Sequence, residues 1–126
     1  MATATIENPG TITTRPAMKV TISENAPTAV PEGAEEGAEA VVPDITLTVY
    51  QADKTQGNAI ILTALQPGDV IVVDWMMGDA YYWQTRTSAN NHIIGNPQRL
   101  APGENRIRVD SSAVTEIVVT PNWRWA

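Results

Sequence analysis

The residues best equipped for chemistry are Asp74, Asp79 and His92. Asp74 and Asp79 flank a short turn, Met76-Met77-Gly78-Asp79, and two carboxylates facing each other across a hairpin are the minimum for general acid–base work. Aspartates at turns and strand ends more often serve the backbone, and nothing nearby supplies a nucleophile. His92 lies in the polar stretch Asn90-Asn91-His92, without a serine or cysteine in a recognisable nucleophile setting. The 126-residue chain has no cysteine and one histidine, which removes disulfides, thiolate metal sites, a cysteine nucleophile and any histidine cage. Glycines stand singly at turns, so there is neither a phosphate-cradling loop nor a calcium loop. The expectation is a protein without catalytic residues, cofactor or metal.

The tryptophans carry more information. Trp75, Trp83, Trp123 and Trp125 fall in segments that read as strands, and a chain without phenylalanine needs large side chains for its core. The alternative is an aromatic platform, stacking on sugar rings or anchoring a subunit contact, with Tyr81, Trp83, Trp123 and Trp125 as its candidates. Trp123 and Trp125 are two apart and therefore share one face of a strand, while Arg124 points the other way.

Placing these residues requires a β framework. The chain holds 12 valines, 11 isoleucines and 15 threonines against four leucines, and β-branched side chains suit a pleated sheet. Nine prolines and eight glycines punctuate it at the intervals of short strands and turns. Strict alternation in Ile45–Gln51 predicts a strand buried on one side. Further strands are predicted over 59–65, 70–75, 80–87, 92–94, 106–109, 116–120 and 122–125, with turns at Pro67-Gly68, Gly78 and Pro102-Gly103. No segment keeps a helical apolar period. The predicted fold is all-β, an antiparallel β-sandwich of jelly-roll type.

Charge divides the chain unevenly. Of the formal net charge of −6, residues 1–43 carry six acids and two bases. The tract Pro31-Glu-Gly-Ala-Glu-Glu-Gly-Ala-Glu-Ala40 has nothing to bury and reads as solvated. The division expected is an extended N-terminal arm, 1–43, and a β-sandwich domain, 44–126. Within the arm, Met18-Lys-Val-Thr-Ile22 alternates as a strand would, and it can join its own sheet or a neighbouring subunit's. Met18, Val20 and Ile22 are the residues such docking would use. An acidic chain repels polyanions, so nucleic acid is not an expected partner. The longest apolar run is about four residues against the roughly 20 that span a bilayer, and no basic, apolar leader follows Met1.

The C-terminal third resembles a known family. The run Leu100-Ala-Pro102-Gly103-Glu-Asn105-Arg-Ile107, then Ile117-Val-Val119 and the closing Trp123-Arg-Trp125, is similar to the C-terminal, galectin-like β-sandwich domain of siphophage distal tail proteins and related minor tail proteins. Gly68-Asp69-Val70-Ile71-Val72-Val73-Asp74 is similar to the strand that precedes a hairpin there. The likeness spans roughly residues 45–126. In its turn element, Pro102-Gly103 bends the chain, Asn105 bonds local backbone, and Leu100 and Ile107 pin the two ends in the core. The resemblance implies a non-enzymatic virion structural protein of a tailed phage, made in the bacterial cytoplasm and assembled as a minor tail component. Its partners would be other virion proteins and copies of itself. A capsid decoration protein is the alternative within that class, and a carbohydrate-binding module for host-surface glycans is the alternative outside it. The larger ring-forming N-terminal domain usual in distal tail proteins has no counterpart among these residues.

Overall fold

The structure is a computed structural model that describes residues 2–8, 16–51, 57–75, 78–95 and 100–120. Nine strands form in chain order: β1 (Ala2–Asn8), β2 (Ala17–Ile22), β3 (Ile45–Tyr50), β4 (Asn58–Leu62), β5 (Val70–Asp74), β6 (Asp79–Tyr82), β7 (Ile93–Ile94), β8 (Gly103–Val109) and β9 (Val114–Thr120). They make an antiparallel sandwich of a five-stranded sheet, β1-β8-β3-β4-β7, and a four-stranded sheet, β6-β5-β2-β9. Among the described residues the one helical element is a 3₁₀ turn at Asn90–His92.

Alternation explains the strands. In β3, Ile45, Leu47 and Val49 are buried while Thr46, Thr48 and Tyr50 are half-exposed, and β8 repeats the pattern with Ile107 and Val109 inward. The inward sets of the two sheets meet with Trp75, Leu62, Leu65, Ile71 and Leu100 in one core. Trp75 is 2% exposed, so this tryptophan fills the role that phenylalanine would have in another chain.

The expected arm needs correction. Residues 17–22 form β2, an inner strand between β5 and β9, with Met18 opposite both Val73 and Val119. Met18, Val20 and Ile22 are almost wholly buried in their own core and are not a docking surface for a neighbour. Residues 2–8, read as part of the arm, pair along their whole length with β8. Residues 23–42 form a mostly exposed connection, with Ala26 and Val42 buried, held by the Ala29–Val41 bridge and by the Val42 N–H to the Leu65 carbonyl (2.8 Å). The strand predicted over 80–87 is also shorter. It ends at Tyr82, and a turn at 83–85 with Arg86 in the left-handed region (φ 60°) folds the chain back so that the Ala89 N–H reaches the Ala80 carbonyl. The turns at Gly68 (φ 84°), Gly78 (φ 72°) and Gly103 (φ 104°) take the positive φ that glycine allows.

Candidate functional site

The β5–β6 hairpin gathers most of the polar residues singled out from the sequence. Asp74 and Asp79 are direct cross-strand partners, and like charges placed opposite each other cost stability. Both line a cavity of about 130 Å³ with Trp75, Asn90, Ile60, Val73 and Ile93. The Trp75 indole N–H is fully buried and has no hydrogen-bond acceptor among the described residues. Asn90 closes one wall, its Oδ1 accepting from the Ala80 N–H at 2.6 Å. A wider cleft of about 380 Å³ shares Asp79, Ala80 and Asn90 and adds Tyr81, Arg86 and Ser88.

His92 is near in sequence but committed elsewhere. Its Nδ1 lies 2.9 Å from the Thr63 carbonyl, which can only accept, so Nδ1 carries the proton. Nε2, 2.9 Å from the Tyr82 hydroxyl, accepts from it. The Thr63 N–H returns a bond to the His92 carbonyl at 2.8 Å. The ring thus ties the end of β4 in one sheet to β6 in the other, and neither nitrogen of this tautomer is left to move a substrate proton. Burial, and secondarily the negative charge of Asp69, hold the Tyr82 phenol above its ordinary value of 10.0. Among the described residues no group of three or more His, Cys, Asp or Glu is placed to hold a metal ion.

On the outer face of the four-stranded sheet one cross-strand row reads Val118, Lys19, Val72, Tyr81. Trp83 lies beside it, 41% exposed. The Arg86 guanidinium sits 4.3 Å from the Trp83 ring centre and 5.5 Å from that of Tyr81, and Lys19 Nζ is 4.7 Å from Trp83. These contacts are cation–π interactions that hold the rings in place and leave Val118, 40% exposed, at the margin. Trp123 and Trp125, the other platform candidates, lie outside the described residues.

The turn element is the most tightly constructed feature. Asn105 is the one buried polar side chain among the described residues. Its Oδ1 accepts from the Ala101 N–H (3.1 Å), and its Nδ2 donates to the carbonyls of Ala101 (2.9 Å) and Gly103 (3.1 Å). Leu100 and Ile107 on either side are buried, and Pro102 is exposed at the bend. No family model, curated protein or solved structure matches the chain.

Sequence reasoning found the aspartate pair, the Asn105 turn and Trp83. It missed Arg86 and Lys19 as partners of the aromatic rings. Lys19 is brought to Trp83 only by the β2–β5 pairing, which no local pattern announces. The left-handed turn that aims Arg86 has neither glycine nor proline to mark it.

Proposed function

We propose that this chain is a non-enzymatic virion structural protein of a tailed phage, most simply a minor tail component, that acts by assembly. The observation that carries the reading is the Leu100–Ile107 element. The residues on which the resemblance rests each have a physical task there: a bend at Pro102-Gly103, a backbone plug at Asn105, and apolar pins at Leu100 and Ile107. The polar residues that catalysis would recruit support the same reading. His92 is spent between the sheets, and Asn105 inside its turn. The outer face bearing Trp83, Arg86, Tyr81 and Val118 supplies the half-exposed aromatic and arginine anchors typical of assembly contacts. Mass spectrometry and a cryo-microscopy map of purified particles test the proposal. The chain is expected at fixed stoichiometry in the tail. Location on the capsid shell would favour the decoration alternative, and absence from particles would overturn both.

One observation favours a second reading, binding of a host-surface glycan. Asp79 and Asn90 line two adjoining clefts, the wider of which also carries Tyr81, and sugar hydroxyls both donate and accept. Tryptophan fluorescence against a glycan panel decides it. A saturable shift abolished by Asp79→Ala supports binding, and an unchanged spectrum with every glycan rejects it.

A further inference from the structure

The two sides of the sandwich end differently. On one side the edges are closed. Beyond β6, the chain folds back with bonds from the Tyr82 N–H to the Thr87 carbonyl (2.9 Å) and from the Ala89 N–H to the Ala80 carbonyl (2.8 Å). The neighbouring edge strand β7 has two residues and sits beside the His92 tie between the sheets. The opposite side ends in β1 and β9, each seven residues long and, among the described residues, each paired on one side only.

β9 has little of the usual protection of an edge: its register with β2 shifts at Thr21/Ile22, a bulge that leaves Thr115 as an extra residue, but the run 116–120 is regular. It contains no lysine, arginine or proline, and its single charge is Glu116. Its apolar residues are incompletely covered: Ile117 and Val119 are half-buried against the core, and Val118 projects from the outer face.

The direction of its free backbone groups follows from β2. The Ile22 N–H bonds the Asp69 carbonyl on the β5 side, and the Ser23 N–H bonds the Ala113 carbonyl on the β9 side. Odd-numbered residues of β2 therefore bond toward β9, where Lys19 faces Val118 and Thr21 faces Glu116. Glu116, Val118 and Thr120 spend their backbone groups inward. Ile117 and Val119 present theirs at an edge that no other described strand covers, while Thr115, the extra residue of the bulge, falls outside this alternation.

We propose that this edge is a homodimer interface, in which β9 pairs antiparallel with β9 of a second copy about a two-fold axis through Ile117. The register is self-complementary. Ile117 exchanges both its backbone bonds with the partner's Ile117, and Val119 falls opposite the bulge at the partner's Thr115. Glu116 falls opposite the partner's Val118, so the two glutamates do not face each other. Each instead lies in the row that continues to the partner's Lys19, an ammonium that no carboxylate of the described residues pairs within its own molecule. The half-covered Ile117 and Val119 become interior to a sheet running through both copies.

The absence of cysteine makes the register directly readable. Residues 116 and 118 of opposite copies form a non-hydrogen-bonded pair with Cα atoms about 4.5 Å apart, within disulfide range. Residue 116 and its own counterpart are about 8 Å apart, which is too far. A mixture of Glu116→Cys and Val118→Cys proteins is expected to oxidise to a crosslinked dimer at least about tenfold faster than either alone. Sedimentation of the unmodified chain from ~1 μM to ~1 mM should show a monomer–dimer equilibrium. Ile117→Pro deletes an N–H that the chain's own sheet does not use, and is expected to remain folded but monomeric throughout. If that variant does not fold, Glu116→Lys replaces it and should weaken dimerisation about tenfold. A monomer at every concentration overturns the proposal, as does a dimer indifferent to these changes or crosslinking no faster in the mixture. The proposal concerns the purified chain, so absence from particles would remove the virion reading and leave the dimer standing.

Discussion

Replacing Asn105 by alanine tests whether the Pro102-Gly103 element is held by a side chain or only by its backbone. The amide satisfies both the N–H and the carbonyl of Ala101, whose peptide is 1% exposed, and also reaches the carbonyl of Gly103. Gly103 is half-buried and water can serve its carbonyl, so the loss concentrates on Ala101. Two buried backbone groups stripped of partners cost about 1–3 kcal/mol each, and the vacated volume adds to this. The expected destabilisation is about 3–5 kcal/mol, a large share of the 5–15 kcal/mol that typically holds a domain together. In urea unfolding, with a slope of about 1.5 kcal/mol/M, the midpoint should fall by roughly 2 M or more at unchanged slope. Asn105→Asp sharpens the test. It retains the acceptor for the Ala101 N–H but turns a carboxylate oxygen toward two carbonyls, so it should match the alanine variant at neutral pH. Protonation restores a donor, so part of its stability should return as pH falls, a recovery that alanine cannot show. An alanine variant within about 1 kcal/mol of the parent, or an aspartate variant with no gain in acid, would refute the reasoning.

Three further outcomes follow from particular contacts. Ala64 is exposed with φ 56°, and Ala64→Gly should stabilise the fold by up to about 1 kcal/mol, read as a raised thermal midpoint; a lowered midpoint contradicts the strain argument. Tyr82 should ionise above 10.0 in an absorbance titration, and Tyr82→Phe should delete that component. Because its pKa is raised on folding, its contribution is intact below the unfolded value and is lost as pH climbs through the folded one. Arg86→Ala removes the cation from both Trp83 and Tyr81, which should change Trp83 emission and cost about 0.5–1 kcal/mol at this exposed site.

What the sequence made legible was local. The alternation of Ile45–Tyr50 and of the Ile107–Val109 segment states which face is buried, and each glycine turn marks its own bend. Asn105 was readable as a local backbone binder because its partners lie within four residues. Met18–Ile22 was readable as a strand, but its place between β5 and β9 was not. Those neighbours lie about 50 and 100 residues away in the chain, and nothing in a short alternating segment specifies which sheet it enters. β1 was missed for a different reason: Ala-Thr-Ala-Thr-Ile alternates small residues with threonine and gives only a weak apolar signal. His92 read as a loop histidine because Thr63, 29 residues distant, becomes its partner only when the two sheets close. The error at 83–87 arose from aromatic and threonine residues that favour strands, overridden by a turn whose left-handed position falls to an arginine.

The central claim is that this sandwich works by being built into a particle. On the proposal that the chain comes from a tailed phage, the most direct measurement is a map of that phage's intact particles, with the sandwich fitted by its strand outline. The account predicts density for this fold in the tail, at fixed copy number, with the Trp83–Arg86 face or the β9 edge against a neighbouring subunit. Particles that are complete and infectious without the chain would contradict it.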